Sequence, residues 1–218
     1  MTDERLLPAQ AWARLEAGNR RWASGTPEHP DQDVARRAQV ATRQDPFAAI
    51  VSCIDSRLPP ETVFDQGIGD LFAVRTGAQT IDGLVTASVE YGPLENGTPL
   101  IVVMGHERCG AVTAAVHAIQ SGARLPGHLD AIVQRLRPAF HKATGTGPRN
   151  EADAFASASA DLADLIDQVI RTQVQHVVHS LAHDGPLASL VAAGTLAIVG
   201  AYYGLDTGLV TRLHSLGL

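Results

Sequence analysis

The sequence predicts an α/β fold, a mainly parallel β-sheet flanked by helices, with an N-terminal helical arm. Two observations predict it. Short apolar runs, typical of strands buried on both faces, recur at "FAAIVSC", "LFAVRT", "PLIVVMGH" and "TLAIVGAYY". Stretches of helical period separate them, and strands alternating with helices argue for parallel pairing through crossovers. The 218 residues, 45% hydrophobic and 18% charged, suffice for one sizeable buried core. Residues 1–218 are therefore read as a single domain with no internal repeat.

The elements follow in order. "PAQAWARLEAGNRRWASG", within an arm of residues 1–27, places Trp12, Leu15, Asn19 and Trp22 on one helical face. From spacing alone this is a core-facing seam; the alternative is an arm that packs on a partner subunit. Residues 28–46 are polar, contain Pro30 and Pro46, and read as a loop with one short helix. "FAAIVSC" is the first strand. "PPETVFD" starts a helical turn with proline in its first turn, and "LFAVRT" is the second strand. "TIDGLVTASVEYGPLE" is helical and stops at Gly92-Pro93. "PLIVVMGH" is the third strand, and "CGAVTAAVHAIQSG" a helix ending at Gly122. The polar "HKATGTGPRN" leads into a long amphipathic helix over 151–183. Its stripe is Leu162, Leu165, Ile166, Val169, Ile170, Val174, Val177, Val178 and Leu181. "PLASLVAAG" is a short helix and "TLAIVGAYY" a fourth strand.

A net charge of −6 leaves no basic footprint for nucleic acid. No apolar run is long enough to span a membrane. "MTDERLLPAQ" lacks the basic start and apolar stretch of a signal peptide, so a cytoplasmic protein is expected. Two cysteines, Cys53 and Cys109, rule out a disulfide framework of any size. In a parallel sheet, sites form at the carboxyl ends of strands. Cys53 ends the first strand, His106 ends the third, and Cys109 opens the following helix.

"GHERCGAV" sets His106 and Cys109 three apart, a spacing that a strand-to-helix turn can aim at one point. Adding Cys53 gives a Cys₂His set, a catalytic zinc combination that leaves one tetrahedral position open. Sulfur with imidazole favours zinc over magnesium or calcium. Asp55 is the obvious fourth candidate, but Arg57 two residues on competes for its carboxylate. Asp55 and Arg57 are therefore read as a pair that manages a zinc-held water rather than as ligands.

"CIDSR" together with "GHERCGAV" resembles the β-class carbonic anhydrase family, of the plant-like and actinobacterial-type branch. The resemblance runs from "LEAGNRRW" to "LAIVGAYYGLDTGLV". It implies one Zn²⁺ per subunit on Cys53, His106 and Cys109, with Asp55 and Arg57 catalytic. It implies reversible hydration of carbon dioxide to bicarbonate and a proton by zinc-held hydroxide. Substrate contacts are implied at Gln44 in "RQDP", Phe72 in "LFAVRT", Tyr91 in "VEYG" and the backbone of Gly110. Because the aromatics of such sites come from the neighbouring subunit, a homodimer or homotetramer is expected. Two thiolates cancel the zinc charge, so hydration should rise toward alkaline pH. The absence of tryptophan from "DPFAAIVSC" favours a site without a second bicarbonate pocket.

"RTGAQ" departs from the family pattern at Thr76 and Gln79, which alters the pocket wall. Glu107 and Arg108 are expected to point to solvent. His176, His179 and His183 share one face of the long helix, but no cysteine or carboxylate pattern supports a second metal there. "GIGDL" has no phosphate-loop lysine. The competing readings are a carbon disulfide or carbonyl sulfide hydrolase on the same site, and a non-catalytic zinc-binding bicarbonate sensor.

Overall fold

The computed structural model describes residues 6–147 and 162–218. Among them five strands form one sheet: β1 (Ala48–Cys53), β2 (Leu71–Thr76), β3 (Leu100–His106), β4 (Ala197–Tyr203) and β5 (Val210–Leu216), in the order β2-β1-β3-β4-β5. The first three pairings are parallel and β4–β5 is antiparallel. All residues of β1, β3 and β4 are buried, as their unbroken apolar runs require.

Among the described residues eight α-helices connect and cover the strands: α1 (Pro8–Ala23), α2 (Val34–Gln39), α3 (Pro60–Val63), α4 (Gly83–Tyr91), α5 (Gly110–Ser121), α6 (Leu129–Thr144), α7 (Leu162–Ala182) and α8 (Gly185–Ala192). Alternation along the strands divides the core in two. Ala48, Ile50, Val102 and Met104 face a cluster built with α1, α5 and α6. Ala49, Val51, Ile101 and Val103 face the second half of α7 and α8. The stripe of α7 serves both: Leu165, Val169 and Ile170 join the first cluster, and Val174, Val177, Val178 and Leu181 the second. Gly105 lets α7 come close to the sheet. A Cβ there would lie 2.7 Å from a methyl of Val174 and 3.0 Å from one of Ile170.

The seam of α1 faces this chain's own core. Ala11, Trp12, Leu15 and Asn19 are buried. The Asn19 amide donates to the carbonyls of Val63 (3.1 Å) and Gly208 (2.9 Å), and its oxygen accepts from the Val210 N–H (2.8 Å). Gly122, left-handed at φ 69°, ends α5 at the expected place.

Two elements differ from the sequence reading. The helix α6 covers residues to which the sequence reading assigned no element, and it runs through Pro138 and into "HKAT", the start of the stretch read as polar and Gly-rich. Strand β5 was not expected; it is an antiparallel edge, only partly buried. The first part of the helix expected over 151–183 lies outside the described residues; the described helix is Leu162–Ala182.

Candidate metal centre

Parallel pairing of β1 with β3 brings their carboxyl ends side by side. Cys53 is the last residue of β1, His106 the last of β3, and Cys109 caps the start of α5. The turn between the last two needs a left-handed residue, supplied by Arg108 at φ 50°. Cys53 and Cys109 Sγ are 3.8 Å apart, and one ligand atom from each of the three side chains lies within 4.8 Å of the others. All three residues are buried.

The donor set fits a cation. His106 Nδ1 lies 2.9 Å from the Glu107 carbonyl, so Nδ1–H donates there and the Nε2 lone pair faces the sulfurs. That Nε2 is buried without a hydrogen-bond partner, a costly state that a metal would relieve. The Cys53 thiol is pulled down to about 4, chiefly by the hydrogen bond from Cys109. Burial opposes this; His106 and the backbone of Asp55 and Ala78 reinforce it. The same contact with Cys53 pushes the Cys109 thiol up, and burial adds to it. One proton thus serves two sulfurs, and a divalent ion in its place would balance two thiolates.

Asp55 stands beside the cluster without joining it. Arg57 donates to its Oδ1 from the backbone N–H (3.0 Å) and Nε (2.9 Å), and to Oδ2 from Nη2 (2.7 Å). These side-chain hydrogen bonds hold the Asp55 carboxyl well below the usual range, against a smaller effect of burial. Asp55 Oδ2 lies 3.9 Å from His106 Nε2, so the ionised carboxylate borders the point the ligands share. Among the described residues, Cys53, His106 and Cys109 form the one group able to hold a metal.

The family model described as carbonic anhydrase matches residues 48–210, which includes all five of these side chains. The chain belongs to the carbonic anhydrase family. It is 39% identical over 202 residues to carbonic anhydrase 2 of Mycobacterium tuberculosis, covering 92% of this chain and 90% of that one. Its fold is that of the β-class. The Coccomyxa β-carbonic anhydrase superposes with a TM-score of 0.72 at 23% identity, over 92% of this chain and 86% of that one. A structure from work on two tetrameric β-carbonic anhydrases of Sordaria macrospora gives 0.69 at 22% identity, over 90% and 93%.

In this carbonic anhydrase the expected pocket residues fall into two places. Gly110 opens α5 beside Cys109, and a Cβ there would meet nothing within 4 Å. Gln44, Phe72 and Tyr91 lie elsewhere. Gln44 is exposed and precedes β1, whose five steps separate its first residue from Cys53 by about 17 Å. Phe72 sits in register with Ala49, four residues short of the rim. It packs edge-to-face on Tyr91, ring centroids 5.9 Å apart. Phe72 and Tyr91 are brought together, then, but away from their own chain's cluster.

Three residues acquire contacts that the sequence did not reveal. Glu107 accepts from the Leu205 N–H (3.0 Å), and Arg108 makes two bonds to Asp206 (2.8 and 2.6 Å). Both were expected to face solvent; Arg108 is exposed and Glu107 half-buried, and from there they also tie the turn carrying His106 and Cys109 to the loop after β4. Arg75 on β2 donates from Nε to the Cys53 carbonyl (3.0 Å) and from Nη2 to the Asp55 carbonyl. Gln79 is buried in a left-handed turn at φ 44°, with neither carboxamide atom partnered. No helix among the described residues is long and apolar enough to cross a membrane.

Proposed function

We propose that this protein is a zinc-dependent carbonic anhydrase, a lyase that interconverts carbon dioxide plus water with bicarbonate plus a proton. The observation that carries this reading is the convergence of two thiols and an orphaned imidazole nitrogen beside a carboxylate pinned by arginine. Zinc on Cys53, His106 and Cys109 would supply a Lewis acid that makes hydroxide available near neutral pH.

The chain's own groups do the rest. Asp55, ionised and fixed by Arg57, can only accept hydrogen bonds. The O–H of the attacking oxygen therefore donates to Asp55, and a lone pair is left facing carbon dioxide. Arg57 holds that acceptor in place and keeps it charged. His106 keeps its proton on Nδ1, and burial of the cluster excludes bulk water from the ligands.

Gln44, Phe72 and Tyr91 complete the substrate pocket of a partner subunit, with Gly110 offering its backbone from the metal side. Their distance from the cluster of their own chain supports this, and it makes the homodimer the working unit. A homotetramer is the further assembly, as named for the Sordaria macrospora neighbours. The arm of residues 1–27 contributes to the partner contact with its outer face. The whole chain acts as one domain. Two free thiols needed as ligands suit a reducing cytoplasm.

Stopped-flow hydration of carbon dioxide, with zinc assayed on the same sample, tests the reading. Rates proportional to zinc and lost in Asp55→Ala are expected. Full zinc occupancy with no hydration between about pH 7 and about pH 9 would overturn it.

A further inference from the structure

Arg75 lies on the second strand, outside the motifs that carry the ligands. Its guanidinium spans two carbonyls, those of Cys53 and Asp55, that flank the first residue past the end of β1. The Ile54 N–H between them donates to the Thr76 carbonyl (3.0 Å), extending the β1–β2 ladder by one residue. Beyond that point the chain leaves the sheet, and regular pairing no longer fixes it. The segment that must aim a sulfur and a carboxylate at one point is therefore held at all three backbone positions, and two of the three contacts come from one side chain.

The chemistry of this contact is specific. Arg75 forms no ion pair with a carboxylate among the described residues, so its charge is committed to two neutral carbonyls close to the two cysteine sulfurs. A planar fork of N–H groups can reach two carbonyls on different residues at once. A lysine ammonium, a point donor on a flexible stem, can reach one while surrendering the geometry of the other. Turning Cys53 about its backbone would carry Sγ away from Cys109, 3.8 Å distant, and turning Asp55 would carry its carboxylate away from His106.

We infer that Arg75 is a positioning residue of the metal centre, clamping the Cys53 and Asp55 carbonyls so that the Cys53 thiolate and the Asp55 carboxylate address the same point. It touches neither metal nor substrate, and it acts through the backbone of the residues that do. The inference rests on the metal reading given under the proposed function.

The test uses the full-length protein, wild type, Arg75→Lys and Arg75→Met, each loaded with zinc and, separately, with cobalt(II). Three quantities are measured: the rate of metal release to a chelator, the thiolate-to-cobalt charge-transfer absorption, and kcat and KM for carbon dioxide hydration. Expected for Arg75→Met are metal release at least about tenfold faster, a displaced charge-transfer band, and a kcat loss of about tenfold or more with KM little changed. Arg75→Lys should fall between Arg75→Met and wild type in all three. A folded Arg75→Met with release rate and cobalt spectrum within about twofold of wild type would overturn the clamp. Should Arg75→Met not fold, an Arg75→Lys protein matching wild type in release and spectrum would overturn it equally. Failure of the metal reading itself looks different: wild type would then bind neither zinc nor cobalt at stoichiometry.

Discussion

Two regions of this molecule offer histidine to a metal, and they differ in every respect except spacing. At the sheet rim, His106 is fully buried, one ring nitrogen is fixed by a carbonyl, and the other is left bare toward two sulfurs. His176 and His179 on α7 and His183 just past its end are exposed. There His183 Nδ1 bonds back to the His179 carbonyl (2.7 Å), and the two rings lie against each other at 4.0 Å. Residues three and four apart on a helix meet as neighbours whatever their purpose. A ligand set needs more: donors that converge, an orientation imposed from outside, and a desolvated lone pair that only a cation satisfies. The rim has all three and the helix face has none.

The most severe way to break this contrast is at the ligands. His106→Ala or Cys53→Ala should abolish stoichiometric zinc, seen by elemental analysis, and hydration should fall by about a thousandfold or more. Asp55→Asn comes next: zinc stays, but kcat drops by about a hundredfold, because an amide can donate where an acceptor is required. Zinc loss in Asp55→Asn would make Asp55 a ligand instead.

Two smaller effects sharpen the comparison. The helix face contributes to the rim through its buried side, not its histidines. Gly105→Ala should therefore cost about 1–3 kcal/mol in denaturant unfolding, since its methyl meets Val174 and Ile170 one residue before His106. The Asp55–Arg57 contact has a defined pH range. The folded carboxyl is depressed by Arg57, so its stabilising contribution is complete above the ordinary value of 3.8 and is lost only as pH falls through the lower folded value. The Asp55 carboxyl carbon should titrate by NMR with a midpoint well below the ordinary 3.8, and Arg57→Met should raise that midpoint. The smallest effect belongs to the exposed histidines: His179→Ala and His183→Ala should leave zinc stoichiometry unchanged and stability within about 0.5 kcal/mol.

The legibility of this chain follows the same division. The cluster of Cys53, His106 and Cys109 was readable because motif and strand end coincide: an apolar run must stop somewhere, and Cys53 and His106 mark where. The four parallel strands were readable for the same reason. The helix α6 was not, because Pro138 interrupts its pattern and its last turn is polar, while packing against α5 and α7 overrides both. Strand β5 was missed because "VTRLHSL" has an exposed edge and no clean alternation. The contacts of Arg75, Arg108 and Glu107 depend on which strand lies beside which, something no local pattern contains. That Gln44 and Cys53 lie at opposite ends of β1 follows from the strand length alone.

That separation has a genetic consequence. On the proposed assembly each chain carries half of two different pockets, metal at one end and substrate contacts at the other. A chain crippled at Cys53 and another crippled at Gln44 are each inactive as homodimers, yet their mixed dimer contains one pocket with both defects and one with neither. Co-expression of two dead alleles would then return activity that neither has alone, and a loss-of-ligand allele would be rescued in the company of a partner that is itself a loss-of-function allele.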